Sequence, residues 1–377
     1  MNTPKIDRIV DAVLYEGYIL YPYRPSVKNF RRWTFGGLFP RAYCDAHAGE
    51  ERSAIQIECL AIGDRAARLD VEIRFLQIVD RQVGRVAATA SATAMSPTGR
   101  VATLAEEPAL ELVESLEVDG KQYVNWQEAI ERRIAAGGET LAELSARPQS
   151  RSFTFPASCE IERLQNSDDT SAGAIIRRRR SLAGSIEISA LPLSSDCFRV
   201  TVRVVNNSVL PGPVGGIDRE DAQRQSLAST HAILTLHGGQ FISPTDPPVE
   251  FQLEASQCRN DGVWPVLVGD PAMRDRATYN TVLASDTLLA SPIILEDFPQ
   301  IAPQSAGDFF DATEIDEMLA LRIMTMTDAE QLAMSGLDRR ARDLLARARS
   351  LGPSQLATLH GAGRMLQPLS EPTHDGR

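Results

Sequence analysis

Cysteine is scarce in this chain. The five cysteines in 377 residues, at positions 44, 59, 159, 197 and 258, are too few and too scattered to form the disulfide framework of a small secreted domain. No run of about 18 apolar residues occurs, so no bilayer-spanning helix is expected. The amino-terminal MNTPKIDRIVDAVLYEG carries acids within its apolar part and has no small-residue cleavage pattern, which argues against a secretory signal. These absences predict a reducing, cytoplasmic setting. Positive charge is in deficit as well: 39 Lys and Arg against 50 Asp and Glu give a formal net charge of −11. That balance disfavours a nucleic-acid partner, because such binding depends on Lys and Arg displacing phosphate counterions.

Motifs for chemistry are missing too. The chain contains no G-x-S-x-G nucleophile elbow, no Walker phosphate loop, no G-x-G-x-x-G after a strand and no H-E-x-x-H. Carboxylate pairs such as Asp308 and Asp311 occur, but nothing in their spacing brings a second acid to face them. No catalytic residue is assigned; the leading reading is a non-catalytic protein acting by contact, and the alternative is a metal-binding protein or metal-dependent enzyme using Cys44, His47 and Cys59.

What is present is ordinary globular material, 43% hydrophobic and 24% charged, long enough for about two domains. LDVEIRF alternates with period two, placing Leu69, Val71, Ile73 and Phe75 on one face and Asp70, Glu72 and Arg74 on the other. SAIQIECL repeats the pattern upstream. The intervening AIGDRAAR supplies a glycine turn, so the two runs predict an antiparallel hairpin. Residues 6–21 and 33–43 are further strand candidates. NWQEAIERRIAAGG changes period: Trp126, Ile130 and Ile134 lie four apart and Gly137 with Gly138 ends the run, which predicts a short helix over about 125–136 with Trp126 in the core. RSFTFPA, GSIEISAL, CFRVTVRVV and LASTHAILTLHGGQFI return to strand patterns. Beyond residue 300, Thr313 and TDAE at 327–330 are capping signals for a pair of helices. The expected fold is α+β: β-rich, mostly antiparallel and sandwich-like, with a C-terminal helical hairpin. The expected division is 1–165, 166–300, a helical region over 301–350 and a disordered tail over 351–377.

Two polar groupings invite a ligand. Cys44, His47 and Cys59 could together offer a metal three of the ligands that a zinc or iron site needs. Against this, Cys59 shares the face of Ile55 and Ile57, which makes it a packing residue, and no cofactor is expected. His231 and His237 share a strand face but lie about 20 Å apart on a regular strand, too far for one ion. The run RRRR at 177–180 could hold a phosphate or an acidic protein segment, and more simply reads as a solvated sheet edge.

The stretch YILYPYRPSVKNFRRWTFGGLFPRAYC at 18–44 concentrates aromatics, cations and prolines. In YPYRP the prolines stiffen an extended chain, and rigid aromatics beside arginine are the side chains that dominate binding hot spots. Tyr21, Tyr23, Arg24, Lys28, Arg32 and Trp33 are therefore contact candidates. The same stretch, with CRNDGVWPVLVG at 258–269 and SPIILEDFPQIAPQSAGDFFDATEIDEMLALRIMTMTD at 291–328, resembles an uncharacterised bacterial family encoded beside uptake NiFe hydrogenases, over most of the chain. The resemblance implies an accessory role in assembly, maturation or docking of a redox enzyme, with a hydrogenase subunit as protein partner. It carries over no catalytic residue. It adds Asp308 and Asp311, in the acidic FFDATEIDEML segment, to the contact candidates.

Overall fold

The structure is a computed structural model that describes residues 3–15, 36–47, 51–86, 110–212, 216–269, 284–299, 323–328, 331, 334 and 339–350. Its organising element is β1 (Ala54–Val86), a strand of 33 residues. Along one edge it pairs first with β10 (Cys197–Asn206), then with β5 (Trp126–Thr140) and then with β2 (Leu110–Val113). Along the other it pairs with β11 (Ala228–Ile242) and then with β8 (Ser171–Arg179). β9 (Leu182–Pro192) and β6 (Gln149–Phe155) extend the sheet beyond β10, β7 (Ser158–Gln165) lies beyond β8, and β14 (Thr287–Ser291) with β12 (Trp264–Val268) lies beyond β11. A short β13 (Ala284–Ser285) also pairs with β11, and β3 (Ser115–Val118) with β4 (Lys121–Val124) forms a separate hairpin. All of these pairings are antiparallel. Strands from before and after residue 165 thus share one hydrogen-bonded sheet.

The alternations read from the sequence set the two faces. Leu69, Val71, Ile73 and Phe75 lie in one core cluster with Phe198, Val200, Val202 and Val204, and α3 (Leu141–Ala146) adds Leu141 and Leu144 to it. Thr140 caps that helix, accepting from the Glu143 amide while Glu143 accepts from the Thr140 amide. The opposite face of the sheet is covered by α1 (Thr3–Leu14). Ile9 and Val10 pack on Val266, Val268 and Leu289, while Leu14 joins Leu76, Ile78 and the C-terminal residues Leu344 and Leu345 of α5 (Arg339–Ser350). Under α1 the guanidinium of Arg74, fully buried, pairs with Asp7, Asp11 and Glu131. Removing water from an arginine is costly, and the three carboxylates offset that cost while tying α1 to β1 and β5.

Four expectations are corrected. SAIQIECL and LDVEIRF do not form a hairpin but lie on the same strand, and AIGDRAAR is a register irregularity of β1 against β11 between Gly63 and Arg68. The helix predicted over 125–136 is β5. A lone helix of that length is marginal, whereas the ladder to β1 runs from Trp126 opposite Arg81 to Thr140 opposite Arg68 and gives the backbone groups partners. Trp126 is buried, but from a strand. Gly137 and Gly138, taken as the helix stop, sit at φ 94° and 95° where β5 shifts register against Leu69 and Asp70. The strand candidate at 6–21 is helical in α1 as far as it is described, and that at 33–43 contains the start of α2 (Arg41–Ala46). A helix, α5, lies within the expected C-terminal helical region, and most of the expected helical pair lies outside the described residues.

Parts of the segments at 258–269 and 291–328 close sheet edges. β11 reaches β1 only from Ala61, and upstream of that point the CRNDG segment takes its place: Gln56 and Asp261 exchange backbone hydrogen bonds, and Asn260 bonds Glu58 through its side chain. At β12 the Leu267 amide donates to Asp297 Oδ1 at 2.8 Å and the Leu267 carbonyl accepts from the Phe298 amide at 2.7 Å. Pro265, two residues earlier, has no amide to offer, so this edge is shielded against another strand.

Candidate functional site

The RRRR run ends β8, where that strand is paired on both sides: Arg177 lies opposite Glu160 of β7 and Arg81 of β1. The reading of this run as a free sheet edge is therefore corrected. Alternation along the strand separates the four guanidiniums. Arg177 bonds Glu128 at 2.8 Å and Glu162 at 2.7 Å, and Arg179 bonds Ser158 Oγ at 2.6 Å and pairs with Glu160. Arg178 donates to Gln82 Oε1. Among the described residues the Arg180 side chain reaches only Asp221, at 4.0 Å, and it is 42% exposed.

Beside these side chains lies a cleft of about 1120 Å³. Five arginines line it (Arg81, Arg178, Arg179, Arg180 and Arg224) against three carboxylates, Asp80, Glu114 and Glu220. Its apolar lining includes Val124, Trp126, Val209 and Pro211. β1 supplies Arg81, whose side chain is buried with Nη1 3.6 Å from Glu128. Burial pushes the Arg81 pKa down, and the Glu128 carboxylate opposes that shift. Arg224 follows α4 (Arg219–Gln223), a turn capped by the Asp218 side chain, and is held by Asp80 at 3.0 Å, Glu220 at 3.0 Å and Asp221 at 2.5 Å. These carboxylates also raise its pKa, more than offsetting the effect of burial.

Gln225 forms part of the same wall and is 2% exposed. Its Nε2 donates to Ser181 O at 3.1 Å and to Val209 O at 2.8 Å, so the amide orientation is fixed by two carbonyls. Its Oε1 is buried and accepts no hydrogen bond from the described residues. The cleft therefore combines apolar residues with several guanidiniums, most of them paired with the chain's own carboxylates, and Arg180 is the most exposed of those so paired.

The other sequence candidates are placed as follows. Cys44 and His47 belong to α2, where His47 closes the helix, stacks on Tyr43 with ring centroids 4.3 Å apart and bonds Tyr43 O through Nδ1. Cys59 lies on the core face of β1. Burial, with the carboxylates of Glu51 and Asp45, pushes the Cys44 thiol up to about 11, and burial raises Cys59 further. Among the described residues no group of three or more His, Cys, Asp or Glu side chains is placed to hold a metal ion. Tyr21, Tyr23, Arg24, Lys28, Arg32, Trp33, Asp308 and Asp311 lie outside the described residues.

His231 and His237 share the outer face of β11 but differ in setting. His231 is fully buried, with Nδ1 2.8 Å from Ser229 O and Nε2 3.2 Å from Ser291 Oγ, and burial pushes its pKa down to about 4. His237 is partly exposed in a second, more open cleft of about 1560 Å³, with Nε2 2.7 Å from Asp70 Oδ2. There the carboxylates of Asp7, Asp70, Glu72 and Asp286 outnumber Arg133 and Arg151, and the Asp70–His237 pair satisfies itself. No helix among the described residues is long and apolar enough to cross a membrane.

Comparison with protein-family models and with curated proteins finds no match to this chain. The RRRR run was the cleft's only sequence signal. Nothing local marked Arg81, Arg224 or Gln225, which reach the cleft from distant segments of the chain.

Proposed function

We propose that this is an accessory protein acting by contact, which seats an anionic segment of a protein partner in the arginine cleft. The observation that supports this reading is the grouping of five arginines against three carboxylates around one cavity, in a chain whose net charge is −11. Arg180, whose side chain is 42% exposed and lies 4.0 Å from Asp221, keeps guanidinium donors for an anionic partner group at this place. The resemblance to proteins encoded beside NiFe hydrogenases supplies the partner of this proposal, a hydrogenase subunit met in the cytoplasm during assembly, maturation or docking.

Co-purification of the full chain with identified hydrogenase subunits, from a bacterium encoding both, tests the reading. A subunit is expected to be retained at low salt, released as salt rises, and lost with Arg180→Glu. Recovery of the chain without any hydrogenase subunit would remove the proposed partner. Equal retention by Arg180→Glu would remove the cleft as its seat.

A further inference from the structure

We propose that α1 is an exchangeable strap: it leaves its seat on the sheet and takes the same seat on a second copy of this chain, so that two copies trade helices. This exchange is independent of the arginine cleft and of the partner proposed for it.

The seat is cut to this helix. Ile9 and Val10 are buried on Val266, Val268 and Leu289, and Leu14 is buried with Leu76 and Ile78. Asp7 and Asp11, one turn apart, reach Arg74 and Arg133. Detachment leaves the charges of both sides provided for. Asp7 and Asp11 are already 34% and 43% exposed to water, and Arg74 keeps Glu131, which accepts from its Nε at 2.8 Å and lies 2.6 Å from its Nη2. The guanidinium of the seat therefore stays paired with the strap off. What the departing helix loses is its apolar cover, and a helix of 12 residues without cover is marginal in water. An identical seat on a second copy restores each of these contacts.

The chain is long enough for the exchange. Residues 16–35, twenty in all, separate Tyr15 from Gly36, the next described residue. At about 3.3 Å per residue they reach at most about 65 Å, beyond the diameter of roughly 50 Å of a compact chain of this length. Because the contacts are the same in either seat, concentration decides between them. A flexible tether gives an effective concentration of about 1 mM, so the exchanged dimer grows in as the chain approaches that range.

Cross-linking of two full-length variants tests the proposal. Asp7 Oδ1 lies 3.3 Å from Arg133 Nη1, so Asp7→Cys in one copy and Arg133→Cys in the other bring two thiols within reach of a short bis-maleimide across an exchanged seat. Mixed at about 1 mM, the two variants are expected to give several-fold more cross-linked dimer than either alone. Each variant alone carries the same five native cysteines and sets the background. No excess over that background would overturn the proposal. Wild type supplies a second measurement that no substitution disturbs: light scattering at about 1 mM is expected to show dimer, whereas a chain with both substitutions, linked within itself while dilute, stays monomeric. Wild type that remains monomeric, a linked chain that associates as wild type does, or a double variant that fails to link within itself would each overturn the proposal.

Discussion

Asn260 pairs with Glu58 through its side chain as a neighbouring strand would through its backbone. The Glu58 amide donates to Asn260 Oδ1 at 2.9 Å, and Asn260 Nδ2 donates to Glu58 O at 3.2 Å. One side chain thereby satisfies both backbone groups of a residue on the central strand. Asn260→Ala is expected to lower stability by about 1–2 kcal/mol, and Asn260→Asp, which keeps the acceptor and loses the donor, by less. Chemical denaturation with an unchanged m-value checks this, and two variants as stable as the wild type would deny the pairing any weight.

Gly137 sits at φ 94°, and a Cβ built there would fall 2.4 Å from Leu69 O. Gly137→Ala is therefore expected to cost about 2 kcal/mol or more, from the backbone conformation and the clash together. Gly120, at φ 74° with open space around it, provides the control: Gly120→Ala carries only the conformational cost of about 1 kcal/mol. Thermal melts of the pair should separate them in that order.

Asp297 holds a sheet edge closed. Its Oδ1 accepts from the Leu267 amide, and its Oδ2 accepts from the hydroxyls of Ser243 and Thr245. Asp297→Ala frees the Leu267 amide and loosens the segment shielding β12, so the variant is expected to be less stable by about 2 kcal/mol and to self-associate. Light scattering as a function of concentration reads the second effect, and a variant that scatters like the wild type would show the edge to be protected by other means.

The depressed pKa of His231 predicts an acid-side loss of stability. In the unfolded chain the imidazole binds its proton near pH 6.5, and in the folded protein only near pH 4, because burial disfavours the cation. Between those values the unfolded state holds more protons, so this contribution is fully present above about pH 6.5 and is lost as pH falls towards 4. The total is about 3 kcal/mol. Unfolding free energies of wild type and His231→Gln from pH 7 to pH 4 should converge as pH falls, and curves running parallel would contradict the prediction.

Much of the sheet was legible in the sequence. Strict alternation in LDVEIRF and CFRVTVRVV reports which side chains share a face, and those faces meet in the core. Connectivity was less legible, because alternation is the same whether two runs fold back on each other or continue as one strand. SAIQIECL and LDVEIRF differ from a hairpin only in what lies beside them, namely β10 and β11 from more than a hundred residues away. NWQEAIERRIAAGG satisfies a helical stripe by spacing, and its fate was decided by the 14 paired positions that β1 offers. The candidate site was legible only as RRRR. The other participants, Arg81, Arg224 and Gln225, are polar residues on unrelated segments, and their convergence is a property of the sheet's register.

The seat of the partner is the central claim, and hydrogen exchange of the full chain with and without a co-purified hydrogenase subunit tests it most directly. Slowed exchange is predicted for the amides of residues 178–181, 209 and 224–225, which line the arginine cleft. Protection confined to other surfaces, with these segments exchanging at the rate of the free protein, would contradict it.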